Sequence, residues 1–158
     1  MKHLLFILIV TTMVSCSTST DEENAYVLSN SIEFSIVNTA GEDLLDSNNP
    51  NSIDIDNIRL YYEIDNEVIE IYDSHLEHPR HFFVFEHENE YRIRVSQNDS
   101  KDENRPITYI EWNETDTDTL QVEYDLTHNS LAQKKIWLNG EEIWNININD
   151  GPFLVLTK

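Results

Sequence analysis

The chain has 158 residues and sets thirty Asp and Glu against ten Lys and Arg, a formal charge of −20 with neutral His. Such a field repels polyanions, because nucleic-acid affinity depends on Lys and Arg displacing phosphate counterions, so nucleic-acid binding is excluded. The single cysteine, Cys16, rules out an internal disulfide, and with only three glycines the turns must be built from Asn and Asp, which tolerate left-handed backbone and bond their own main chain.

Residues 1–16, MKHLLFILIVTTMVSC, place Lys2 before an apolar run from Leu4 to Val14. About ten apolar residues suit the core of a signal peptide and fall short of the roughly 20 that a spanning helix needs. Met13-Val14-Ser15-Cys16 resembles the lipobox of diacylglyceryl-modified bacterial lipoproteins, with Met13 where that motif prefers Leu. The resemblance implies cleavage after residue 15 and a lipid on Cys16, hence attachment to a membrane. The loss of Lys2 then leaves nine basic residues against thirty acidic ones, about −21. Residues 16–31 read as the lipidated Cys and a flexible tether. Its acidic run Asp21-Glu22-Glu23 resembles the surface-export signal of Bacteroidetes lipoproteins, which implies an outer-membrane protein displayed at the surface; the alternatives are a periplasm-facing domain and a plain solvated linker.

From residue 32 to 158 the dominant period is two, in short runs separated by Asn, Asp and Pro, which predicts strands. Ile32, Phe34 and Ile36 alternate with Glu33, Ser35 and Val37. A long connection over 38–57 follows, with the pair Leu44-Leu45 expected to plug the core. Ile58, Leu60, Tyr62 and Ile64 form the next apolar row. A two-residue Asp65-Asn66 turn sets Tyr62 opposite Ile69 and Leu60 opposite Ile71, leaving Tyr61 and Tyr72 on the outer face. A Glu88-Asn89 turn joins 81–87 to 90–96, pairs Val84 with Ile93 and Phe82 with Val95, and puts Phe83 and Phe85 outside beside Arg94 and Arg92. A three-residue turn there reverses the faces. The stretch 97–105 reads as the most exposed loop. After Pro106, Ile110 and Trp112 share one face, with Ile107 and Tyr109 on the other; Leu120, Val122, Tyr124 and Leu126 then give the cleanest alternation. Asn139-Gly140 is a type I′ hairpin signal, the segment NININ (145–149) reads as a strand with Ile inside, and 152–158 reads as a terminal strand.

These runs predict an all-β, antiparallel, Ig-like β-sandwich of about eight or nine strands, with a small β-barrel as the alternative. The segments FSIVNTAGEDLLD (34–46), TYIEW (108–112) and KIWLNGEEIW (135–144) resemble those of small Bacteroidetes envelope lipoproteins. That resemblance rests on core and turn residues, implies a compact cell-envelope β domain, and brings no catalytic motif.

Four candidate chemistries remain to be weighed. His75, His78, His81 and His87 fall within thirteen residues beside Glu77, Glu86 and Glu88, a composition suited to zinc provided that Pro79 folds them together. Asp43, Asp46, Asp54 and Asp56, and separately Asp99, Asp102 and Glu103, offer hard oxygen ligands for calcium without an EF-hand pattern. Exposed aromatics on a sandwich suit stacking against sugar rings. Regular pairing around Asn139-Gly140 puts Trp137 and Trp144 on one face, which reads as core, so Tyr61, Tyr72, Phe83 and Phe85 are the ligand-facing candidates. Glu111 and Glu123 are the pair to consider for a hydrolase, but phosphate loops, nucleophile elbows and a free Cys are lacking, and a non-enzyme is expected. Asp118-Thr119-Leu120 and Asn98-Asp99-Ser100 match short glycosylation patterns. The sequence thus points to a binding module for an envelope protein or a glycan, with a structural subunit and a small hydrolase as the competing readings.

Overall fold

The computed structural model describes residues 27–127, 130–148 and 150–158. The signal segment, Cys16 and the acidic run at 21–23 lie outside the described residues. Eleven strands form in chain order: β1 (Val27–Leu28), β2 (Ser31–Val37), β3 (Arg59–Ile64), β4 (Glu67–Glu70), β5 (Phe82–His87), β6 (Glu90–Ser96), β7 (Ile107–Asn113), β8 (Asp116–Thr127), β9 (Ser130–Leu138), β10 (Glu141–Asn145) and β11 (Phe153–Thr157). They build a seven-stranded sheet in the order β1-β9-β8-β7-β3-β4, with β10 also on β9, and a four-stranded sheet in the order β11-β2-β6-β5. Neither sheet closes on itself, so the fold is the expected β-sandwich and not a barrel. Pairing is antiparallel except for β1 on β9 and β11 on β2.

The core lies between the sheets. Ile32, Phe34, Ile36, Ile93 and Val95 from the smaller sheet meet Leu60, Ile110, Trp112, Leu120, Val122 and Ile136 from the larger. Phe34 and Trp112 pack edge to face at 6.2 Å, and each such apolar side chain contributes about 1.5–3 kcal/mol on burial. Leu44 and Leu45 do plug the core from the long connection. Their backbone is held by Leu44 N–H donating to the Ile36 carbonyl at 2.8 Å and by Asp43, whose carboxylate receives Leu45 N–H and Tyr91 N–H, each at 2.8 Å.

Several expectations are corrected. The tether ends sooner than residue 31: β1 pairs with β9, and Asn30 accepts from Gln97 N–H at 2.7 Å. Residues 97–105 do not all form an exposed loop, since Gln97 and Asn98 are buried. Gln133 Nε2 donates to the Gln97 side-chain oxygen Oε1, and Asn98 spends its amide on the Glu63 and Ile107 carbonyls, because chain entering the sandwich end must satisfy its polar groups internally. Leu126 is 50 % exposed, beyond a bulge at Glu123 and Tyr124 that breaks the alternation. Residues 146–148 do not continue the strand: β10 stops at Asn145, whose side chain accepts from Asn147 N–H, and Ile146 and Ile148 face solvent.

Candidate ligand-binding face

The β5–β6 hairpin takes the two-residue turn, with Glu88 at φ 55° and the pairs Phe82/Val95, Phe83/Arg94, Val84/Ile93 and Phe85/Arg92 in register. One face of the hairpin therefore feeds the core, and the other presents Phe83, Phe85, Arg92 and Arg94 outward. Its neighbour β2 sets Glu33 opposite Arg94, and β11 sets Phe153 beside Glu33. The outer face of the four-stranded sheet thus carries a cross-strand row of Phe153, Glu33, Arg94 and Phe83.

Glu33 orders this row. Its carboxylate accepts from Arg94 at 2.5 and 3.1 Å and from Arg92 at 3.3 Å, while Arg92 also donates to Glu90 at 2.6 Å. The guanidinium planes are held over rings: Arg92 lies 4.0 Å from the Phe153 centroid, and Arg94 lies 5.4 and 5.3 Å from Phe83 and Phe85. Phe83 and Phe85 sit 5.6 Å apart, and the His78 ring stacks on Phe83 at 4.4 Å. Burial works against the Arg92 charge, but its bonds to Glu90 and Glu33 outweigh that and raise its pKa above the usual value. A cleft of about 460 Å³ opens alongside, lined by Ser31, Arg92, Arg94, Gly151 and Phe153. The assembly offers apolar ring surface framed by fixed cationic donors. The Glu33 and Glu90 carboxylates are engaged in ion pairs, and Asp150 also lines the cleft.

Of the four ligand-facing candidates, the structure brings together Phe83 and Phe85. Tyr72, 62 % exposed, lines a neighbouring cleft with His78 and Phe83, whereas Tyr61 lies on the other sheet beside Arg59 and Glu111. The four do not form one platform. Phe153 and Glu33 were not singled out from sequence: pairing of the last strand with the first long one is non-local and leaves no signal in either segment.

The histidines have separate partners. His75 meets the Asp73 carboxylate, His78 stacks on Phe83, His81 approaches the Tyr62 hydroxyl at 3.4 Å, and His87 packs edge-on against Phe85. Among the described residues no group of three or more His, Cys, Asp or Glu converges on a metal position. Of the acids considered for calcium, Asp46 accepts from Asn48 N–H, and Asp54 caps a one-turn 3-10 helix over Ile55–Asn57. Glu111 sits opposite Thr117 and Glu123 opposite Lys135, so these two acids are not cross-strand neighbours. Trp137 and Trp144 also separate. A bulge between Glu142 and Trp144 sets Trp144 opposite Ile136 toward the core, while Trp137 packs on the outer face under Arg105 at 4.0 Å. Asn98 is buried with its amide in use, and Thr119 lies in β8 with its N–H on Asn139.

Comparison of the chain with family models, with curated proteins and with solved structures gave no match.

Proposed function

We propose that this chain is an acylated outer-membrane lipoprotein, attached through Cys16 and displayed at the surface. Its β-sandwich acts as a non-enzymatic binding module that holds a glycan on the outer face of the four-stranded sheet. The observation that carries the reading is the row of half-exposed Phe83, Phe85 and Phe153 interleaved with Arg92 and Arg94 and fixed by Glu33. Pyranose rings present C–H surfaces that stack on aromatics and hydroxyls that accept from guanidinium groups. Side chains already held in ion pairs lose little entropy when a ligand arrives. Arg92 and Arg94 are matched on this face by Glu33 and Glu90, so their donors are held in place without a net positive charge.

The signal-like residues 1–16 and the acidic stretch after them support the address. A domain of such charge is repelled by anionic head groups, so a tether that holds it away from the bilayer suits it. A glycan array probed with residues 17–158 and with a Phe83→Ala/Phe85→Ala variant tests the proposal. Hits that the variant loses support it; an array silent for both variants leaves a structural subunit as the better account.

A further inference from the structure

A second surface, remote from the aromatic face in topology, is the free side of β4. It is the last strand of the larger sheet and pairs only with β3. The Asp65-Asn66 turn, with φ of 53° and 63°, closes on the pair Ile64/Glu67, and Ile71 N–H donates to the Leu60 carbonyl at 2.8 Å. Ladder bonds therefore fall on Glu67, Ile69 and Ile71, and the N–H and C=O groups of Val68 and Glu70 point away from the sheet. None of the described residues bonds to those four backbone groups. Natural edges are guarded by short length, charged side chains, Pro, bulges or a covering loop. This one is four residues long and has no Lys, Pro or bulge; each face carries one acid and one exposed apolar residue, Glu67 with Ile69 (44 % exposed) and Glu70 with Val68 (58 %), with Ile64 at the turn also open. The flanking charge is of one sign, from Glu63, Asp65, Glu67 and Glu70, answered locally by Arg59 on Glu70 at 3.4 Å.

We infer that β4 is a docking edge for an extended segment of a basic partner protein, in which two adjacent apolar residues are flanked on each side by Lys or Arg. Antiparallel addition to Val68 and Glu70 completes their backbone bonds. Because Glu67 shares a face with Ile69 and Glu70 with Val68, the two apolar side chains then lie beside Val68 and Ile69 and the basic ones beside Glu67 and Glu70. A second copy of this chain is the wrong occupant, because β4 against β4 brings two sets of like charges and two chains of −20 together.

The test uses the full chain and a synthetic peptide of about seven residues centred on Lys-Val-Val-Lys, the length of an ordinary strand. A control peptide of the same sequence carries N-methyl groups on alternate amides. Binding is measured by calorimetry at physiological salt. Val68→Pro removes one outward N–H without touching a ladder bond, a substitution that edge strands tolerate, and its melting temperature verifies folding. Wild type is expected to bind the peptide at least about tenfold more tightly than Val68→Pro or Glu67→Lys/Glu70→Lys does, and to bind the N-methylated control more weakly by a similar factor. Equal affinity for the two peptides overturns the inference, since attraction is then ionic alone, as does no binding at all. A concentration-dependent dimer of the wild type that Val68→Pro abolishes overturns it in favour of self-association.

Discussion

Asp118 shows how a single acid can be structural in a chain with thirty of them. It lies nearly buried in β8, where Trp112 Nε1–H and Lys158 Nζ donate to one oxygen at 2.7 Å and Asn139 Nδ2 to the other at 2.7 Å. Burial raises its pKa, but the bonds from Asn139, Lys158 and Trp112 together outweigh it and hold the carboxyl below the usual value. A group whose folded pKa is depressed contributes stability above its unfolded pKa, near 3.8, and loses it as pH falls through the folded value. Urea titrations are therefore expected to show stability falling below about pH 4, and Asp118→Asn should flatten that part of the curve. Asp118→Ala, which strands a buried indole N–H and the Lys158 ammonium, is expected to cost about 3 kcal/mol. Asn98 is comparable among neutral residues. Asn98→Ala forfeits two donated bonds to carbonyls and one accepted from Ser100 N–H, an expected loss of about 1–3 kcal/mol in the same assay. At a distance, Tyr62 and Tyr124 share this polar end of the sandwich, and burial pushes both hydroxyls well above the usual range.

At the scale of elements, turns and strands differed in how much could be read from them. The turns at Asp65-Asn66 and Asn139-Gly140 were legible because left-handed backbone selects Asn, Asp and Gly locally, whereas at Glu88-Asn89 the left-handed residue is Glu88. The Asp65-Asn66 and Glu88-Asn89 hairpins keep one register, and a bulge beyond Glu142 shifts that of Asn139-Gly140. The three do not contribute alike. Asn139 also donates to Asp118 and accepts Thr119 N–H, whereas Asn66 is exposed with no bond from its side chain to another described residue. Asn139→Ala should accordingly lower the melting temperature by several degrees, a loss of about 2 kcal/mol, with Asn66→Gly close to neutral. Gly140→Ala, at φ 87° with open space around the added Cβ, should cost about 1 kcal/mol from backbone strain alone. Bulges were not legible. A single extra residue near Trp144 moved it to the face opposite Trp137, and period-two reasoning has no term for that insertion. The candidate face was half legible for the same reason. Its hairpin partners Phe83, Phe85, Arg92 and Arg94 are local, but Glu33 and Phe153 join them through pairings across the whole chain.

At the scale of the molecule, charge and attachment fit one picture. Nearly all strands are covered on the inner face by aliphatic side chains, and the acids fill turns, ion pairs and the β4 edge. Two of the ten basic residues, Arg92 and Arg94, lie on the outward face of the four-stranded sheet, and others, among them Arg59, Lys134 and Lys158, sit in ion pairs elsewhere. On the proposed acylation of Cys16, Cys16→Ser is expected to move the protein from the membrane pellet to the soluble fraction, read by immunoblot, since two acyl chains anchor a protein stably where one does not. The same charge predicts a monomer in dilute solution at low salt.

The central claim is that the aromatic and arginine row on β11, β2, β6 and β5 receives a glycan. It is tested most directly by calorimetric titration of the strongest array hit into wild type and into Phe83→Ala/Phe85→Ala, with both proteins first shown to melt alike. The account predicts saturable binding by wild type and a loss of at least about tenfold in the variant, since a stacked ring contributes on the order of 1–2 kcal/mol. Equal binding by the two folded proteins would contradict it.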